Sequence, residues 1–256
     1  MDLPDPEVII HGYAIFLRAG AFLMLLPFVG QPVPLMVRTA TSIYLAFLML
    51  PLVEPHPAVL LPGGLAELLL LSVREILIGA VMGFAVLLLF HLCHYAGQFI
   101  SMQMGLMQSN LFNPITQEQS TVMSTAFTML TIVIIFTLEV HHSLLFAFNR
   151  SLEIMPGGSP LTGDKMLGIL VLDVGKIFIV GVQMAAPLIA VNYIVTLSFA
   201  VLGRAVPNMN VLMLSFGVRI GMGFIVMIMV LVVLVQMLIG MIYDSPIRML
   251  QFLPFR

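Results

Sequence analysis

The chain has 256 residues, 61% of them hydrophobic and 9% charged, with a formal net charge of -2 and a mean hydropathy of +1.13. Soluble domains carry about 45 to 50% apolar and about 25% charged residues, so this composition excludes a globule that covers itself in water. No run of Lys or Arg forms the stripe that nucleic acid demands, and a single cysteine, Cys93, excludes an internal disulfide or an all-cysteine metal cage.

In chain order, the first stretch, Met1 to Glu7, is acidic, the opposite of the positive region that opens a secretory signal, so the first apolar segment is expected to be kept. About six apolar segments follow: Val8 to Val29, Met36 to Val53, Leu65 to Cys93, Val122 to Phe148, Leu167 to Leu202 and Val211 to Tyr243. A bilayer tolerates little besides helices at such lengths, which predicts an all-α, integral-membrane-type fold. Pro32, Pro34, Pro51, Pro55, Pro57 and Pro62 with Gly63 and Gly64 separate the first three segments. The Gly, Ser and Pro stretch from Pro156 to Gly163 divides a front part, 1–160, from a back part, 161–256. The last two segments are too long for simple perpendicular spans across a hydrocarbon core of about 30 Å. Pro187 is expected to kink the first of them, and Gly203 to Asn210 to turn the chain into a long, bent helical hairpin.

Between the third and fourth segments, Gly97 to Thr121 is polar but almost uncharged, and its Gln and Asn residues alternate with Met102, Met104, Met107, Leu111 and Phe112. Irregular backbone at membrane depth is tolerated where it is buried in protein or lines an aqueous cavity; an ordinary extramembrane loop is the alternative. Of the 21 methionines, most serve as packing, but the side chain also suits surfaces that adapt to changing partners.

Charges within the apolar runs each need protein or water around them: Arg18, Glu67, Arg74, Glu75, Glu139, Asp173, Lys176 and Arg219. Asp173 with Lys176, and Glu67 with Arg74, share a helix face; Arg18 and Arg219 have no opposite charge within a turn, so their partners are expected on other segments or chains. Gly79 with Gly83, and Gly217 with Gly221, form GxxxG pairs that let a neighbouring backbone approach. His91, Cys93 and His94 lack the further ligands of a metal site and are expected to end a helix. Glu139, His141 and His142 suggest a proton relay, yet no HExxH, GxSxG or phosphate-binding loop accompanies them, so neither catalysis nor a cofactor is expected.

Particular residues, taken in order, resemble the FliR family of the flagellar type III export apparatus. They are Arg18, Pro27, Val33-Pro34, Arg38, Glu75-Ile76-Leu77-Ile78-Gly79 with Gly83, Gly97, Gln103-Met104-Gly105, Asn113-Pro114, His141-His142 and Pro156-Gly157. The back part, with Ala185-Ala186-Pro187 and Arg219, is also similar to FliQ. The resemblance implies a FliP-like front, 1–160, fused to a FliQ-like hairpin, 161–256. It implies assembly with several copies of FliP and FliQ, with FlhB and FlhA, in a closed conical gate at the bacterial inner membrane, raised toward the periplasm. Partners would also include membrane lipid and unfolded flagellar export substrates.

The same resemblance makes the loop, about 98–121, a plug. Its residues would be Met102, Gln103, Met104, Gly105, Met107, Gln108, Asn110, Leu111, Phe112, Asn113 and Pro114. Arg18, Arg38, Arg74, Glu75, Asp173, Lys176 and Arg219 would be buried charges or subunit contacts. Asn113 stands where relatives often have Asp, and Phe112 is the only aromatic from Met102 to Glu118, where relatives commonly have more. The homologous subunit of a virulence injectisome is the nearest rival, although Gln103-Met104-Gly105 looks more flagellar. A lone solute channel or transporter would call for an inverted repeat, which two parts of such unequal length do not suggest.

Overall fold

The computed structural model describes residues 6–30, 33–52, 64–108, 121–157, 163–206, 208 and 210–253. Among these, all regular structure is helical: α1 Pro6–Leu25, α2 Pro27–Gly30, α3 Leu35–Met49, α4 Leu65–Gln103, α5 Val122–Thr137, α6 Val140–Ile154, α7 Gly163–Ala205 and α8 Val211–Gln251. A single 3-10 turn, Leu106–Gln108, follows α4. Among the described residues, four helices are long and apolar enough to cross a membrane, or five if the bent α5–α6 pair is one span.

Several boundaries differ from those expected. Leu26 interrupts the first segment before Pro27, whose fixed φ and missing N–H favour a fresh helix start. The third segment runs past Cys93 to Gln103, so Gly97 lies inside a helix and the polar stretch begins as its last two turns. His91, Cys93 and His94 therefore sit within α4 and do not end it: His94 Nε2 lies 3.1 Å from Gln98 Nε2, one turn on. The fourth segment is broken at Leu138–Glu139, where the axis turns by 74°. Glu139 has φ 55°, the left-handed region that few non-glycine residues adopt. Neither Gly nor Pro marks that break in the sequence.

The chain packs as two compact units. The first comprises Met1–Leu89, Ile135–Val174 and Ile242–Arg256. Its centre is α1 against α3 and α4, with Phe22 stacked on Phe148 of α6 at a centroid distance of 5.4 Å. Pro246 lies within α8 and leaves the Ile242 carbonyl without its helical donor; the Ser245 hydroxyl donates to that oxygen at 2.7 Å instead.

The second unit comprises Phe90–Ile134 and Gly175–Met241. Gly97 of α4 lies so close to the start of α5 that a Cβ there would overlap Ser124 Cα. Thr121 precedes α5 and caps it reciprocally: Ser124 N–H donates to Thr121 Oγ1 at 3.2 Å, and Thr121 N–H donates to Ser124 Oγ at 2.9 Å. Ser101 of α4 donates its hydroxyl to Thr121 Oγ1 at 2.8 Å, fixing the returning chain to α4. Thr121→Val should lower unfolding stability in detergent by about 1 kcal/mol, and Thr121→Ser should not. Equal melting midpoints for the two variants would refute the cap's role. Asn210 similarly caps α8 through Oδ1, which accepts from Met213 N–H at 3.2 Å.

The arms α7 and α8 have 43 and 41 residues, a contour of about 60 Å each at the helical rise. Their apolar windows are only 17% and 22% buried within the chain, against 56% for α4. Residues such as Phe178, Ile194, Met213, Ile228 and Met229 are exposed, a surface that lipid or other protein must cover. Pro187 lies inside α7 and removes one helical donor there.

Candidate functional site

In the second unit, the three residues Gln103-Met104-Gly105 each have a separate task. Gly105 stops α4: its φ is 77°, and its N–H donates to Met102 O at 3.1 Å, a left-handed helix end that glycine adopts without steric cost. Met104 is buried to 1% exposure and fills the surface of α8 at Gly223, where a Cβ would come within 2.6 Å of Met104 Cγ. Gln103 accepts from Asn192 of α7, whose Nδ2 donates to Gln103 Oε1 at 2.7 Å. The methionines on either side, Met102 and Met107, are exposed. Asn110, Leu111, Phe112, Asn113 and Pro114 lie outside the described residues, as does the side chain of Gln108.

Near this point, Arg219 of α8 donates from Nη2 to Thr196 Oγ1 at 3.2 Å. Its Nε is buried without a hydrogen-bond partner among the described residues, and so is Asn192 Oδ1. Both residues line a cavity of about 10 Å³, room for about one water. Among the described residues of this unit there is no Asp or Glu to oppose Arg219.

The first unit holds the other charged centre. Arg18 is wholly buried, and its Nε donates to Glu75 Oε2 of α4 at 2.7 Å, both side chains being fully excluded from solvent. Its Nη1 donates to Ser151 O at 3.0 Å and Nη2 to Met155 O at 2.8 Å. Those carbonyls close the C-terminal end of α6, where the helix dipole favours a cation. One guanidinium thus joins α1, α4 and α6.

Spacing explains why Glu75, Gly79 and Gly83 occur together. At intervals of four they form one stripe on α4. A Cβ at Gly79 would overlap the Arg18 carbonyl oxygen, and one at Gly83 would come within 2.8 Å of Phe22 O. The two glycines let the α1 backbone lie close enough for Arg18 to reach Glu75. Gly217 and Gly221 differ: among the described residues nothing beyond the adjoining turns of α8 comes within 4 Å of a Cβ at either position, and both are exposed.

The remaining predicted residues are placed singly. Arg38 donates from Nε to Val33 O at 2.6 Å, bracing the start of α3. Arg74 is half-buried beside Glu75 in sequence, Asp173 is buried on α7, and Lys176 is exposed one turn later. Glu139 and His142 are exposed and 3.8 Å apart at the α5–α6 bend. Among the described residues, no group of three or more His, Cys, Asp or Glu is placed to hold a metal. Sequence reasoning missed Gly223, Asn192, Ser101 and the carbonyls of Ser151 and Met155. A main-chain acceptor has no sequence signature, and one glycine among 20 carries no sign of what fills it.

Curated relatives align with most of the chain. A protein of Caulobacter vibrioides named "Flagellar biosynthetic protein FliR" is 28% identical over 214 residues, 82% of this chain and 83% of the relative. Those of the same name from Bacillus subtilis and Escherichia coli K12 are each 26% identical, over 84% and 82% of this chain and 83% and 80% of their own lengths. The family model described as "Bacterial export proteins, family 1" matches residues 9–244, nearly the whole described structure including both arms of the hairpin, and the chain belongs to that family.

Proposed function

We propose that the chain is a non-enzymatic subunit of the flagellar type III export gate. In this reading it forms, with several copies of FliP and FliQ, the channel through which unfolded flagellar proteins leave the cytoplasm. FlhB and FlhA complete the apparatus at the inner membrane, with the assembled core raised toward the periplasm. The carrying observation is the alignment of over four-fifths of the chain with relatives that bear a flagellar biosynthetic name. The little-buried apolar arms α7 and α8 support a chain wrapped by sister subunits. In the same reading, 1–160 is the FliP-like part and 161–256 the FliQ-like hairpin.

The segment after α4 acts as the plug that keeps the channel closed at rest. Adaptable methionine side chains can seal a channel and then yield to an unfolded polypeptide without specific bonding. Arg219, with no carboxylate among the described residues of its unit, takes its counter-charge from a partner subunit, and the exposed Gly217 and Gly221 admit a partner's backbone. Deleting the gene should abolish swimming, and removing Met104–Asn113 should make the resting assembly leak ions. Unchanged single-channel conductance in an assembled deletion variant would end the plug assignment, and unimpaired motility would end the flagellar one.

A further inference from the structure

We propose that the α7–α8 hairpin, through Gly223 and Asn192, is the positioning element for the C-terminal end of α4 and the turn that follows it as far as Gln108. The helix stop at Gly105 ends α4 but does not by itself set the direction of the residues that follow, because glycine is permissive in φ and its N–H, donated to Met102 O, closes the helix only. The two residues before it are gripped from different arms: Met104 is keyed into the notch at Gly223 of α8, and Gln103 is hydrogen-bonded to Asn192 of α7. The notch matches Met104 along its stem. A Cβ at 223 would stand 2.6 Å from Met104 Cγ and 3.2 Å from both its Cβ and its Cε, so even alanine displaces the side chain. The grip is selective, since Met102 and Met107 on either side are 52% and 41% exposed while Met104 is 1% exposed. A shift of either arm is thereby transmitted to the exit of α4. The functional consequence rests on the plug reading, whereas the positioning itself does not.

The test uses the full chain assembled with its partners, with Cys93 replaced by Ser and a single reporter, Met107→Cys. Modification of that thiol by a water-soluble maleimide is measured beside resting ion leak. Gly223→Ala should change the labelling rate about fivefold, the effect of modest overpacking. The same change should be largely lost in a Met104→Ala background, where the clashing Cγ is gone. Asn192→Leu, which leaves the notch alone, should shift the rate in the same direction in correctly assembled protein. A labelling rate unmoved by Gly223→Ala and Asn192→Leu, or a Gly223→Ala effect equally large with alanine at 104, would overturn the proposal. A changed labelling rate with no change in leak would leave the positioning intact and sink the plug reading instead.

Discussion

Arg18→Ala is expected to remove most of the protein from the membrane fraction. Truncation leaves the Glu75 carboxylate buried with its cation gone, a situation that costs about 3 to 5 kcal/mol in proteins generally. It also strips the Ser151 and Met155 carbonyls of a donor at the end of α6, at about 1 kcal/mol or more each. Native stabilities are typically about 5 to 15 kcal/mol, so the sum approaches the whole margin. Arg18→Lys should be intermediate, because an ammonium keeps the charge but cannot span three acceptors on two helices with one planar fork. The exchange Arg18→Glu with Glu75→Arg should fail to rescue, since a carboxylate at 18 would face carbonyl oxygens. Steady-state abundance and melting midpoints in detergent measure these effects, and a stable Arg18→Ala protein would mean that the centre does not hold the unit together.

Gly79→Val is the second large effect. A side chain at 79 would occupy the position of the Arg18 carbonyl oxygen, and that atom belongs to a helix backbone, which cannot swing aside. Relief requires α1 to move off α4, lengthening the Arg18–Glu75 hydrogen bond along with it. Overpacking alone costs about 1 to 3 kcal/mol, and coupling to the ion pair should carry the loss above that range. Gly217→Val and Gly221→Val should leave the isolated chain's melting unchanged, because open space lies over both. If those glycines meet a partner, co-purification of the assembly should fall while the chain itself stays folded. Equal melting of the Gly79 and Gly217 variants would refute the distinction.

Much of the architecture was legible because hydrophobic content and length are properties of the chain itself. An apolar run of 20 residues or more has few ways to satisfy its backbone except as a helix, so the all-α fold followed from composition. The two long helices of the back part were legible for the same reason, but α7 continues through Gly203 to Ala205, into the stretch expected to turn, and Pro207 and Met209 lie outside the described residues. The bend at Glu139 was not, since it depends on a left-handed residue with no glycine to announce it. The length of α4 was also missed: Gln98, Ser101 and Gln103 make its last turns look polar, but within the second unit they find partners in His94, Thr121 and Asn192.

The candidate site divides along the same line. By itself the sequence determined that Arg18 needed an opposite charge from elsewhere, that Gly79 and Gly83 marked a close approach, and that Gly97 to Thr121 was a segment of distinct character. Only the tertiary structure decided which groups answered: Glu75 for Arg18 across 57 positions, α1 for the two glycines, and Gly223 for Met104. The physical reason is that a need for burial, charge or space is written in one side chain. Its satisfaction belongs to whichever distant backbone the fold brings alongside.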